Sequence, residues 1–550
     1  MSGTDGFNLI DEPWIGVLDH QGRKHEVSIL ELFDSAPELL RIAGDVPTQE
    51  FAITRLLLAF LHRALDGPED QEQWLELWNA AELPLGRIRE YADRVRDRFD
   101  LFDPVAPFYQ VSGLSGQSDT ASGLEKIIAD IPNGQPLFTM RSAAAVSSMA
   151  PAEAARWLVH VHAFDPAGIK TGAIGDPTVK KAKGYGSSLG WCGQLGGILP
   201  VGSDMRETLV LNLIARDVDS YVSIGADGDV PPWEREPDGP AWQQRPPRGA
   251  VDLYTWQTRR VRLVGDRAAV TGVVLAKGDV IEPQNLHRLE PHTAWRYSAP
   301  QSKKHKTVVY MPLVHDPNRS VWRGLAAFLP ATSSRHHGGS EPQDFLAPGV
   351  LQWISDLAGQ GNLPDGYSPG IQIYGAQYGT QNAVFDDIFA DGLPLSVLVL
   401  RHDQPHVGQI AVSAVNEAED VATELWKLAE NVAQAAGAEP KSGAGDTARE
   451  QFYAALDGPY RRFVAALRPG ADADLMRLEW SRNLYRTARA TAAFIVADAP
   501  PSAWTGRQVR GRLVNVGLAE AWFYSALRRL LPPPVFVSVH TAEDAEEITA

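Results

Sequence analysis

Cysteine is almost missing from this chain. Among 550 residues only Cys192 occurs, which excludes an intrachain disulfide and a zinc site built on clustered thiolates. A reducing, cytoplasmic setting fits that usage. Long apolar runs are missing too: even the stretch Arg55–Leu65 carries Arg and His, so no membrane span is expected. The first residues, Met1 to Asn8, are polar and lack the basic and apolar regions of a signal peptide. Positive charge is in short supply, with 51 Lys and Arg against 68 Asp and Glu and a net charge of -17. That balance opposes a freestanding nucleic-acid binder, because gripping phosphates needs a positive face. It leaves room for local basic patches, or for a subunit whose partners carry most of the charge.

Apolar material is plentiful. Hydrophobic residues make up 44% of the chain, with 15 Trp and 18 Phe, enough for roughly two to four buried cores at this length. The opening pairs apolar Trp14–Val17 with Val27–Ile29 across a polar turn at Asp19–Lys24, the pattern of a β-hairpin. The run "TQEFAITRLLLAFLHRAL" then predicts a helix capped by Thr48, with Phe51, Leu57, Leu58, Leu61 and Leu65 near one face and Gly67–Pro68 as the stop. Further helix is expected over Glu72–Phe99. From Asp103 to Ala250 glycine and proline break the periodicity, and long surface loops are expected. The stretch Pro231–Gly249, dense in Pro and Trp, reads as a surface wrap. Strands are expected at Arg259–Val264, Ala268–Leu275 and Val308–Leu313. Four long amphipathic segments fill the chain beyond about residue 400, separated by short Gly, Pro and Asp breaks. The fold class is therefore α+β: a large mixed N-terminal α/β domain with long loops over residues 1–402, then a C-terminal four-helix bundle over 403–550.

"GSSLG" at Gly186–Gly190 matches a nucleophile elbow with Ser188 as the nucleophile. Its flanks are wrong, since an elbow needs an apolar strand before the serine and a helix after it. "KTG" at Lys170–Gly172 lacks the S-x-x-K partner of the penicillin-binding set, and no phosphate loop is present. His160 and His162 would share a face of a strand, and His336 and His337 are adjacent, but neither pair has carboxylate or thiolate at ligand spacing. No metal and no cofactor are expected.

Basic residues cluster despite the acidic total: Lys180, Lys181 and Lys183; Arg259, Arg260 and Arg262; Lys303, Lys304, His305 and Lys306. Arg482, Arg486 and Arg489 recur at helical spacing and so line one face; Arg507, Arg510, Arg512, Arg528 and Arg529 follow. A solvated face is the ordinary reading of one such cluster; several of them segregate charge into patches. "DPAGIKTGAIGD" at Asp165–Asp176 brings flexible backbone and a lysine together, suited to close approach of a ligand. "YGAQYGTQNAVF" at Tyr374–Phe385 reads as strand, polar tip and strand.

These parts, taken in order, resemble the CasA family, the large subunit of the type I-E CRISPR Cascade complex. The opening "FNLIDEPWIGV" and the later "APFYQVSG" (Ala106–Gly113) resemble its N-terminal hallmarks, and the resemblance spans essentially the whole chain. It implies a non-catalytic subunit of an RNA-guided antiviral complex that reads the PAM beside a double-stranded target. It also implies help in opening the duplex for R-loop formation and recruitment of a helicase-nuclease. By the same resemblance the PAM loop falls on Gly168, Ile169, Lys170, Thr171 and Gly172, where Lys170 and Thr171 depart from glycine-richer relatives. The PAM-facing lysine falls on Lys277, and the wedge that enters under the PAM on Gln381 and Asn382. A loop near Asn133 would anchor the subunit at the 5′ handle of the guide CRISPR RNA. Arg482, Arg486 and Arg489 would hold phosphates of the displaced strand or the duplex. Expected partners are the other Cascade subunits, the guide RNA, the target DNA and the helicase-nuclease. Some relatives carry paired cysteines before the lysine; here "LVGDRAAVTG" has none. Two competing readings stay open: a serine hydrolase using Ser188, and a scaffold subunit that touches no DNA.

Overall fold

The computed structural model describes residues 6–117, 121–131, 139, 142, 146–218, 221–330 and 342–531. The chain divides into two compact units. The described parts of 1–321, 333–362 and 369–392 form the first; those of 322–332, 363–368 and 393–550 form the second.

The first unit opens with the hairpin expected from the sequence, β1 (Ile15–Asp19) and β2 (Lys24–Val27), joined on its other edge by β3 (Leu39–Ile42). Helix α1 (Pro47–Leu65) follows, and it departs from the expectation twice. Val46 is the N-cap and Pro47 the first helical residue, because proline is preset for that position and has no N–H to leave unpaired. Thr48, freed from capping, bonds through Oγ1 to Nε2 of His160 at 2.8 Å. Burial also runs round nearly the whole helix instead of one face; Leu56, Leu57, Leu58 and Leu61 are all fully buried. A helix apolar all round belongs at the centre of a core, and each such leucine contributes about 1.5–3 kcal/mol. The one charge in its middle, Arg55, is bidentate to Glu290, with Nη1–Oε1 and Nη2–Oε2 both 2.7 Å, and lies 4.6 Å over the Tyr254 ring. Trp191 Nε1 donates to the same carboxylate at 2.6 Å.

The region expected to be mostly loop contains a second buried helix, α2 (Pro151–Phe164). Trp157, Leu158, Val161 and Phe164 bury beside α1, and so do both histidines. His160 and His162 are thus helical, not on a strand. A segment hydrophobic on every side has no period to betray it.

Two sheets follow from α2. The first has the order β5–β4–β8–β7, built from β4 (Gly168–Thr171), β5 (Lys183–Ser187), β7 (Arg259–Gly265) and β8 (Val270–Lys277). Strands β7 and β8 pair antiparallel with Arg259 opposite Lys277, and β4 meets β8 in parallel at Thr171 and Ala276. The second sheet sets β6 (Gly197–Val201) beside β9 (Gly370–Tyr378), which continues into β10 (Phe385–Pro394). The run expected at Val308–Leu313 forms a short strand at Tyr310–Pro312 in a separate small sheet.

In the second unit four long helices pack together: α3 (His406–Ala436), α4 (Ala444–Ala466), α5 (Ala473–Ala497) and α6 (Val516–Leu530). Helix α3 packs against all three others. Its core stripe Ala411, Ala418, Val421, Leu425 and Leu428 is matched by Phe452, Leu456, Trp480, Leu484, Phe523 and Leu527. Side chains of Asp472 and Asn515 cap α5 and α6. Trp322 joins this core by stacking on Tyr460 at 4.5 Å and donating to Asp457 Oδ1 at 3.0 Å. No helix among the described residues is long and apolar enough to cross a membrane.

Candidate nucleic-acid interface

The C-terminal end of α2 is the anchor point. Tyr378, at the end of β9, donates its hydroxyl to the Phe164 carbonyl at 2.7 Å. Phe385, at the start of β10, packs against Tyr378 and His160. One residue beyond Phe164, Asp165 begins the turn into β4. The polar hairpin and the glycine-containing strand therefore hang from the same helix end. Their ends meet: a Cβ added to Gly168 would lie 3.7 Å from Ala383 Cβ, next to the hairpin tip.

That tip is a single turn, Thr380–Asn382, with Gln381 and Asn382 both exposed. Their φ angles are +59° and +55°, in the left-handed region that costs about 1–2 kcal/mol for a residue with a side chain; asparagine tolerates it best. The tip is thus held in a conformation that points two amide side chains outward.

Gly168–Gly172, expected as a loop, is mostly a strand. Gly168, with φ of +111°, makes the bulge that lets β4 pair with β5 while joining β8. Ile169 is 57% exposed between them. Lys170 is placed differently from the expectation of a DNA contact. Its side chain is 11% exposed and its Nζ lies 2.5 Å from Asp165 Oδ2, the atom that also accepts from Arg259 Nε. A lysine on a sheet face beside a buried carboxylate turns inward, because leaving that carboxylate unpaired costs several kcal/mol. Burial alone would raise the Asp165 pKa; Lys170 and then Arg259 reverse this and hold the carboxyl below the usual range. Burial lowers the Lys170 pKa despite Asp165, and Arg259 adds to the lowering.

Arg259 and Arg260 likewise do not form a basic surface: each is 1% exposed. Arg259 binds Asp165 and the carbonyls of Pro166 and Ser188, while Arg260 binds Asp279 at 2.6 Å. The exposed positive charge nearby comes instead from Lys180 and Lys181, on the turn linking β4 to β5, and from Lys183, the first residue of β5. Lys277 ends β8, one register step from Thr171, and is only 7% exposed; its Nζ lies 3.3 Å from the centre of the Trp242 ring. The sequence offered no hint of Trp242 at this place.

Arg482, Arg486 and Arg489 are on α5 of the second unit; Arg486 bonds Asn483 at 2.7 Å. Asn133, His336 and His337 fall outside the described residues. His160 and His162 are buried, and burial pushes both down to about 3, so they are neutral packing groups. Among the described residues no cluster of metal-ligating side chains occurs. Ser188 follows β5 but leads only into the short turn Cys192–Gln194, and none of the described side chains bonds its Oγ. The strand–serine–helix arrangement of an elbow is not formed.

The chain is one of the CRISPR-associated proteins. More narrowly, it belongs to the CRISPR-associated protein Cse1 family, whose model matches residues 8–491. The CasA/Cse1 protein of Thermus thermophilus is 31% identical over 542 residues, 94% of this chain and 98% of the relative. The crystal structure of Thermobifida fusca Cse1 has a TM-score of 0.88 at 42% identity, over 96% of this chain and 99% of that one. A chain of a CRISPR RNA-guided surveillance complex shares the fold at 16% identity, with a TM-score of 0.66, over 89% of this chain and 99% of that one.

Proposed function

We propose that this chain is the non-catalytic large subunit of an RNA-guided surveillance complex that reads the PAM of double-stranded DNA. It would also help open the duplex and recruit the helicase-nuclease. The observation that carries the reading is the meeting of three elements: the Gly168–Gly172 strand, Lys277 at the end of the neighbouring strand, and the left-handed tip Gln381–Asn382. Backbone without side-chain bulk at Gly168 suits a shallow approach to the minor groove, while Gly172 is buried against Val179 and Ala182 and lets the strand pack on its own turn. One ammonium there distinguishes little beyond A·T from G·C, so the PAM code would be permissive. A polar wedge entering beside it costs a few kcal/mol of unstacking, offset when guide pairing begins. Lys170 serves this reading as an internal strut rather than as a contact. Lys180, Lys181 and Lys183 supply the nearby phosphate attraction, and Arg482, Arg486 and Arg489 support for the displaced strand. The other Cascade subunits and the guide RNA, held through the segment containing Asn133, would supply the rest of the assembly. No cofactor enters this reading.

The test is the variant Lys277→Glu with Gln381→Ala and Asn382→Ala, placed in an assembled, guide-loaded complex. Loss of PAM-dependent binding with unchanged assembly is expected; normal target binding would overturn the assignment.

A further inference from the structure

Lys277 does not reach its position alone. The Pro- and Trp-rich segment Pro231–Gly249 is fastened just beyond the end of β8, chiefly at Asp279. Its carboxylate accepts from the Gln243 backbone N–H at 3.0 Å, from Arg245 Nε at 3.2 Å and from Arg260 Nη2 at 2.6 Å. The Val280 N–H returns a bond to the Gln243 carbonyl at 2.9 Å. Arg245 is in turn bidentate to Asp252, at 2.6 and 2.8 Å, and sits 4.0 Å over Trp256. With both neighbours of this clamp fixed, Trp242 has little freedom. Its Nε1 donates to Thr178 Oγ1 at 2.8 Å, and Thr178 Oγ1 donates to Asp176 Oδ1 at 2.8 Å. The indole is thus tied at its edge, and its face lies under the Lys277 ammonium at 3.3 Å. Opposite, a Cβ added to Gly186 would sit 3.7 Å from Lys277 Nζ, so the missing side chain leaves a notch above the charge.

We propose that Trp242 is a positioning residue for Lys277: its indole face carries the ammonium at the end of β8 and presents it at the notch beside Gly186. The inference rests on the reading of Lys277 as the PAM-facing lysine and adds a specificity-determining residue to it. A free lysine side chain loses rotamer entropy on binding a base edge; one already seated on an aromatic face has lost it beforehand. The ring quadrupole replaces hydration that burial removes, and burial does lower the Lys277 pKa, with the Asp176 carboxylate opposing.

The experiment compares Trp242→Phe, Trp242→Leu and Lys277→Ala in the assembled, guide-loaded complex. It measures the ratio of affinities for a PAM duplex and a scrambled-PAM duplex at fixed salt. Leucine keeps apolar packing without a π face; phenylalanine keeps the face. Trp242→Leu is expected to lower the ratio about tenfold, about 1.4 kcal/mol at 25 °C, the size of a partly desolvated cation–π contact. Trp242→Phe should retain most of the ratio. Lysine ¹³C-methyl NMR of the isolated chain supplies a second readout, with an upfield ring-current shift of the Lys277 methyls that Trp242→Leu abolishes. Equal losses for Phe and Leu would overturn the proposal in favour of packing alone. A normal ratio for Trp242→Leu while Lys277→Ala collapses it would also overturn it. A normal ratio for Lys277→Ala with the ring-current shift intact would instead sink the PAM reading, and this inference with it.

Discussion

Removing Lys170 separates an internal strut from a DNA contact, and the structure fixes the size of each outcome. Its Nζ shares Asp165 Oδ2 with Arg259 Nε, both at 2.5 Å, in a site where Asp165 is 5% exposed. Lys170→Met takes away one charge-assisted hydrogen bond but leaves Asp165 paired to Arg259, so the cost should stay within about 1.5–3 kcal/mol. Asp165→Asn leaves two buried cations facing a neutral amide and should cost about 3–5 kcal/mol. Joining the two substitutions removes one of the stranded cations, so the double variant should be at least about 1 kcal/mol more stable than the sum of the singles. Urea unfolding followed by tryptophan fluorescence reads these differences. In the assembled complex, log of the DNA affinity against log of salt should keep its slope in Lys170→Met, whereas loss of a phosphate contact would flatten it by about 0.9. A flattened slope with undiminished stability would refute the strut and restore Lys170 as a contact. Additive energies would refute the shared carboxylate.

Replacing Gln381 and Asn382 with glycine should leave stability unchanged or raise it by about 1–2 kcal/mol in thermal unfolding, since both lie at positive φ, while duplex opening monitored by 2-aminopurine fluorescence is lost. His160 and His162 have values near 3 when folded, against 6.5 for a free imidazole. The unfolded chain therefore binds their protons first, and stability should be insensitive above about pH 6.5 and fall progressively below it; an imidazole ¹H signal from either residue titrating between pH 6 and 8 would contradict this. The Cys192 thiol is pushed up to about 12 by burial, so at pH 8 it should resist iodoacetamide in the folded protein and react in denaturant; rapid folded-state labelling counts against its placement.

Local signals carried much of the fold. The β1–β2 hairpin, the β7–β8 pair and the long C-terminal helices announce themselves by alternation, turn residues and heptad-like spacing. Helix α2 did not, because Trp157, Leu158, Val161 and Phe164 bury every side of it and the two histidines interrupt a plain apolar run. Charge misled for a related reason: Arg259 and Arg260 read as a basic patch, yet β7 turns both inward to Asp165 and Asp279, carboxylates that sequence proximity does not connect to them. Lys170 was drawn inward by the same Asp165. For the candidate site, the hairpin tip was legible as a polar turn, but its left-handed backbone was not. Trp242 was invisible as a partner of Lys277 because the Asp279 clamp that joins them is a tertiary contact.

In the proposed role this chain supplies PAM discrimination to the complex. Binding of PAM and scrambled-PAM duplexes to guide-loaded complex, with and without this subunit at one near-physiological salt concentration, tests it directly. Discrimination should disappear on omission and return on adding the chain back. Discrimination that survives without the chain would contradict it and leave a scaffold role in its place.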